Sequence, residues 1–387
     1  MLDIPTKPYG TLDLISVDDH IIEPGHVWTS RAPAKLKDRA PKVVVTDDGT
    51  EMWKVEDRLS PNIGLSTMAG RSYEEFTIKA QNFKDMRPGC YDAKERIKDL
   101  DLDGVKVSFC FPAVPGLGGE SFMNIKDVEL RDWAISAYND YLIDEFQPVA
   151  PGRLMGLGIL PLTEPEKAVA EMHRIAKLGV KGLTIPFWFH ESVEGAKPLV
   201  DSVYDPIWTA CEELDMPINL HIAAGRGAGG MSALSSGIPG MAEAFVTAAP
   251  LTNFDILSQI IWTGMLDRHP KLKVISSEGG IGWVPYFLER SDYTYEKHRY
   301  WTHSSLKQKP SEFFHRQCYV CFIHDEAGVF SRHLIGVDNM MWESDYPHTD
   351  TTWPNSHDWV EKSMPGIPAD ERQKITYGNA TRVYNLN

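Results

Sequence analysis

Apolar residues fall into short continuous runs separated by helix-period segments, the pattern of a buried parallel sheet wrapped in helices. The runs cover residues 12–20, 105–111, 154–160, 180–185, 217–221, 273–277, 318–323 and 340–344. Helical periodicity marks 97–102, 130–146, 164–178, 206–214, 253–267, 283–296 and 326–335, and a last helix is expected near 368–386. Glu164-Pro165-Glu166 is a good helix start, with proline in the first turn and acids at the positive end of the dipole. Eight βα units predict a single (β/α)8 TIM barrel rather than a doubly wound sheet. The longest interruption, residues 21–90, follows the first strand and contains 42–55, where Asp48-Gly49 joins two β-prone runs as a hairpin. An insertion there lies over the mouth of a barrel, so the chain reads as one barrel domain over 1–387 with an inserted β-hairpin cap within 21–90.

Three of these strands end in side chains able to hold a metal. The first closes on Asp18-Asp19-His20, the fifth on His221 and the eighth on Glu343-Ser344-Asp345. Strand side chains alternate, so Asp18 and His20 share a face while Asp19 points away. The C-terminal ends of barrel strands open onto one face, where Asp18, His20, His221 and Asp345 can meet on one ion. Carboxylates with imidazoles suit Zn²⁺, with Mn²⁺ as the alternative. The bland readings are turn and cap residues for the aspartates and a satisfied core position for His221.

Around this set, Glu278 follows the sixth strand and His348 follows Asp345 by three residues. Asp345, Glu278 and His348 are the catalytic candidates. Arg226 is read either as an anchor for a substrate anion or as an exposed loop arginine, and His324 as pocket or cap. Trp28, with other loop aromatics, is read either as a stacking wall for a planar substrate or, taken singly, as packing. Lys181 lies early in its strand, so no lysine is placed to bridge a second ion, and one ion per chain is expected.

Composition narrows the partners. Thirty-nine basic and 54 acidic residues among 387 leave a net charge of −15, which disfavours nucleic acid and anionic membranes. The first ten residues carry two prolines and no leader pattern, and no apolar run approaching the ~18 residues of a membrane span is expected. Five cysteines, few and odd in number, fit a reducing compartment, and the chain is read as cytoplasmic. Cys318 and Cys321, three apart in a strand, face opposite sides and are not read as a pair. No nucleotide loop is present: Gly225-Arg226-Gly227 lacks the lysine.

The chain resembles the amidohydrolase superfamily, in the branch similar to aminocarboxymuconate semialdehyde decarboxylase and γ-resorcylate decarboxylase. The resemblance rests on Asp18-Asp19-His20, the run Arg153 to Leu162, Leu178-Gly179-Val180-Lys181-Gly182-Leu183, Leu220-His221, Ser277-Glu278-Gly279-Gly280 and Ser344-Asp345-Tyr346-Pro347. It implies a mononuclear site of Asp18, His20, His221 and Asp345, with Asp345 also handling a proton, and a homodimer or larger homo-oligomer. Related decarboxylases carry a histidine where this chain has Glu278. A glutamate repels a carboxylate substrate, so the leading expectation is a hydrolase acting on a small cyclic or aromatic compound through metal-activated water. The alternative is non-oxidative decarboxylation of an aromatic or unsaturated acid at the same metal.

Overall fold

The structure is a computed structural model describing residues 12–225, 233–234 and 236–386. In chain order its strands are β1 (Leu14–His20), β2 (Lys42–Val45), β3 (Glu51–Val55), β4 (Arg58–Ile63), β5 (Ala80–Gln81), β6 (Val105–Phe111), β7 (Leu154–Gly156), β8 (Leu183–Thr184), β9 (Ile218–His221), β10 (Val274–Ser277), β11 (Cys318–Phe322) and β12 (Met340–Trp342). A three-stranded sheet, β1-β6-β7, and a five-stranded sheet, β8-β9-β10-β11-β12, supply the eight parallel barrel strands. Two seams close them into a ring. At one, Gly158 donates to the Gly182 carbonyl and accepts from the Thr184 N–H, each at 3.0 Å. At the other, the Asp345 N–H donates to the Asp18 carbonyl (2.8 Å) and the His20 N–H to the Tyr346 carbonyl (2.7 Å). The ring is thus the expected (β/α)8 barrel.

Strand alternation sorts the apolar side chains into two cores. Ile15, Val17, Phe109, Leu157, Ile275 and Met341 fill the barrel, while a larger cluster packs between sheet and helices. Cys321 belongs to the inner set and Cys318 to the outer, and all five cysteines are buried and free. The C-terminal helix Asn379–Val383 closes one end of the barrel: Tyr384 stacks on Phe109 (3.9 Å between centroids) and donates to Asn219 Oδ1 (2.6 Å). The other end is left for chemistry.

The insertion is larger than a hairpin. β2 and β3 pair as expected, but β4 and β5 extend them into a four-stranded antiparallel sheet. Arg58–Ile63 includes Pro61, which weakens its strand signal. Two backbone bonds tie this cap to the loop after β12: Thr349 N–H to Leu65 O (3.0 Å) and Ala69 N–H to Pro347 O (3.1 Å). Trp53 anchors it beneath, edge-on to Trp28 at 5.3 Å, with Trp28 in turn against Phe122.

One expectation is corrected. The run Met241–Trp262 is long and apolar enough to cross a membrane by length and composition. Its second half packs on the barrel, with Ile256, Leu257, Ile260 and Ile261 buried, which accounts for apolarity there without a bilayer.

Trp53→Ala should destabilise the protein by about 3–5 kcal/mol, the usual cost of truncating a buried tryptophan, measured by denaturant unfolding. A second prediction concerns Asp103, which accepts from the Ser356 N–H and hydroxyl and so fixes the segment beyond the site. Burial raises its carboxyl to about 7, although the Ser356 bonds pull the other way. The folded state therefore holds this proton more tightly than the unfolded chain. The associated stability is whole below the ordinary value of 3.8 and is lost as pH climbs through 7. Asp103→Asn should match the parent in acid and exceed it above pH 7 by on the order of a few kcal/mol, read as Tm against pH.

Candidate metal centre

The site depends on an irregularity in β1. Ser16 pairs with Ser108 but Asp19 pairs with Cys110, so β1 carries one extra residue between them, a β-bulge. Strict alternation from Ile15 and Val17 would turn Asp18 and His20 out of the barrel. The bulge re-phases the strand, and both point inward. Asp19 faces outward, where Ser16 Oγ (2.8 Å), Ser108 Oγ and the Tyr346 N–H (3.0 Å) all donate to it. Burial raises Asp19 to about 6 against the pull of Arg96 and these bonds.

The other strands deliver their groups at sharp turns. His221 ends β9, and its Nδ1 donates to the Ile222 carbonyl at 2.8 Å, which leaves Nε2 facing the centre. Glu278 and Asp345 follow β10 and β12 with φ of 55° and 60°, left-handed conformations that glutamate and aspartate seldom adopt. At Gly279 a Cβ would meet Asn253 Nδ2 at 2.6 Å, and that nitrogen donates to the Ser277 carbonyl. The Glu278 turn is therefore braced from behind by Asn253.

The side chains converge. His20 Nε2 lies 3.2 Å from Asp18 Oδ1, 3.2 Å from Asp345 Oδ1 and 3.3 Å from His221 Nε2. His221 Nε2 is 2.8 Å from Glu278 Oε2 and 3.6 Å from Asp18 Oδ2. His348 Nδ1 is 2.9 Å from Asp345 Oδ1, and its ring stacks on His20 at 3.7 Å. Two overlapping ligand sets result: Asp18, His20, His221 and Glu278, and His20, Glu278, Asp345 and His348.

The electrostatics call for a cation. Both oxygens of Asp18 and of Asp345 are buried and receive no hydrogen bond. Burial, and after it neighbouring carboxylates, push Asp18 and Asp345 well above the usual aspartate range. Glu343 is raised by burial and by Glu278. Burial also pushes Glu278 up, but the facing His221 outweighs it and leaves that carboxyl below the ordinary value. Burial lowers His20, and it lowers His348 to about 4, so both rings are neutral at physiological pH. Orphaned buried carboxylate oxygens and imidazole lone pairs at these separations fit a divalent ion.

The four ligands read from the sequence are thus brought together, with Glu278 and His348 on the same centre. His324 lines the cavity above it, with Nδ1 2.6 Å from Ser363 Oγ. Trp28 is a correction: it is fully buried, donates to the Ala134 carbonyl and packs behind Trp53, which lines the cavity where Trp28 itself does not. Arg226 lies outside the described residues. Sequence reasoning missed Glu343, which is fully buried, lines the cavity and accepts from the Glu278 N–H at 3.2 Å. Its spacing of two from Asp345 was the available signal.

Asp18→Asn should weaken divalent-ion binding by at least about 10-fold, measured by titration of the chelated protein with Mn²⁺ or Zn²⁺. Chelation should lower the Tm of the parent, and added ion should restore it in a concentration-dependent way. The variant's Tm should respond little to either treatment.

The amidohydrolase family model matches residues 25–386. The γ-resorcylate decarboxylase of Polaromonas sp. (strain JS666) is 24% identical over 326 residues, 80% of this chain and 93% of that protein. An amidohydrolase from Mycobacterium avium subsp. paratuberculosis K-10 superposes with a TM-score of 0.76 at 21% identity, over 97% of this chain and all of that one. The dihydroxybenzoic acid decarboxylase of Polaromonas sp. JS666, solved with manganese and 2-nitroresorcinol, gives 0.62 at 20% identity, over 97% and 98% of the two chains. With its barrel and its metal-binding cluster, the chain belongs to the amidohydrolase family.

Proposed function

We propose that the protein is a metal-dependent, non-oxidative decarboxylase of an aromatic or unsaturated carboxylic acid. The observation that carries this reading is its similarity, over 80% of its length, to a γ-resorcylate decarboxylase, taken with a buried acidic donor set that matches a metal-dependent reaction. This reverses the order of the two sequence readings. The objection from Glu278 loses force because its carboxylate is engaged with His221 at 2.8 Å and its N–H with Glu343.

Asp18, His20 and His221 would hold the ion, with Asp345 and Glu278 completing the set. Three carboxylates against two imidazoles favour Mn²⁺ over Zn²⁺, since oxygen ligands suit the harder ion. When bound, the ion supplies Lewis-acid binding of the substrate's anionic oxygens. Asp345 would carry the proton: it is buried, and the neutral ring of His348 beside it can relay a proton from the open cavity, taking one up on Nε2 as it gives one up from Nδ1. The bond between the ring and carboxyl carbons breaks and CO₂ leaves. The electron pair stays on the ring carbon, which takes the proton from Asp345.

The test is CO₂ release by the Mn²⁺-loaded protein from hydroxybenzoates and unsaturated acids in D₂O, with deuterium expected at the vacated carbon. Asp345→Asn should lower turnover by about 10²–10⁴, measured with the ion saturating. Hydrolysis of lactones or amides without any CO₂ release would return the assignment to the hydrolase reading.

A further inference from the structure

The cavity above the metal cluster measures about 870 Å³. That is near the top of the roughly 300–1,000 Å³ range of clefts that enclose drug-sized ligands. A single-ring hydroxy acid fills only a small part of it. The cavity is also divided in character. Its floor holds His20, His221, Glu278, Glu343, Asp345 and His348, whereas the rest of its lining, which also carries Glu120, His324 and Asp350, includes Ile63, Leu65, Val114, Leu117, Phe245 and Val246. Among the described lining residues there is no lysine or arginine.

The wall formed by the helix Met241–Ala248 is the informative part. None of its residues is buried, yet it carries Met241, Phe245 and Val246, with Val246 41% exposed and Met241 39%. Ile238 and Leu251 extend the same exposed apolar stretch on either side. An apolar helix that buries nothing is explained when something apolar covers it. Phe245 and Val246 open into the same cavity as the ligands, so the covering group is reached from the metal centre.

We infer that the substrate is an aromatic acid bearing a bulky, uncharged apolar substituent, either a second ring or an alkyl chain. The acid head sits at the metal floor and the substituent lies against Phe245, Val246 and the cap strand β4. The identity of the head rests on the decarboxylase reading; the apolar upper chamber stands apart from it.

The experiment separates the two. Salicylate is titrated into the Mn²⁺-loaded protein by calorimetry beside its 4-phenyl, 5-phenyl and 5-heptyl derivatives. At least one extended acid should bind about 10–100-fold more tightly than salicylate, the gain expected from burying a ring or chain. Phe245→Asp should abolish that gain while leaving salicylate binding unchanged. Val246→Trp, which fills the chamber without adding charge, should do the same and guards against misfolding of the first variant. If no extended acid binds more tightly than salicylate, the inference is overturned. It is overturned equally if the protein is a dimer that Phe245→Asp dissociates in light scattering, since a second copy then covers the helix. Tight binding of extended acids with no CO₂ release from any of them would support the chamber and sink the decarboxylase reading alone.

Discussion

The seam between β1 and the segment after β12 is the constraint on which the rest depends. Four bonds make it: Asp345 N–H to Asp18 O, His20 N–H to Tyr346 O, Ser344 N–H to Ser16 Oγ and Tyr346 N–H to Asp19 Oδ1. These bonds join residues more than 300 positions apart and close the barrel. The residues that close it include the candidate ligands Asp18, His20 and Asp345. Barrel closure and site assembly are therefore one event, and a cation bound among the side chains ties the same two strands together again.

Behind the seam lies a buried polar network that holds it in register. Arg96 donates to the His20 and Gly89 carbonyls and stacks on the Tyr346 ring at 4.3 Å. Tyr346 donates to Asp99, which Arg87 grips with two bonds. This places a permanent positive charge against the backbone of the ligand strand and outside the ligand cluster. The fixed guanidinium supports the geometry without competing for the carboxylates, because it is committed to carbonyls and faces the aromatic ring.

Much of this was legible in the sequence because burial on both faces writes parallel strands as continuous apolar runs, and ligands at strand ends interrupt them abruptly. All eight barrel strands and the convergence of Asp18, His20, His221 and Asp345 follow from that rule, and the β2–β3 hairpin follows from its Asp48-Gly49 turn. The bulge in β1 does not, since local sequence does not reveal which residue will go unpaired; Asp18 and His20 share a face either way, but only the bulge decides that the face is the inner one. Trp28 misled because a tryptophan in a long insertion looks like a loop aromatic, whereas Phe122 and Trp53, distant in sequence, bury it. β4 and β5 were hidden by Pro61 and by the brevity of Ala80–Gln81, and their pairing comes from tertiary contact rather than propensity.

Glu278 shows why a substitution at one ligand position is read best through its neighbours. By charge alone, a glutamate is unfavourable in a cavity that would accept a carboxylate. In the fold it is held in a left-handed turn that Asn253 braces, its N–H is bound to Glu343 and its carboxylate lies against His221. A carboxylate so placed would contribute to the field of a bound ion rather than to that of the open cavity. It also makes the ligand set harder and more negative than one with histidine at that position. Such a set would leave a bound ion less electrophilic than one with histidine at that position. The described walls around that floor add apolar surface at Ile63, Leu65, Val114, Phe245 and Val246, where a substrate could gain binding that the ion does not give.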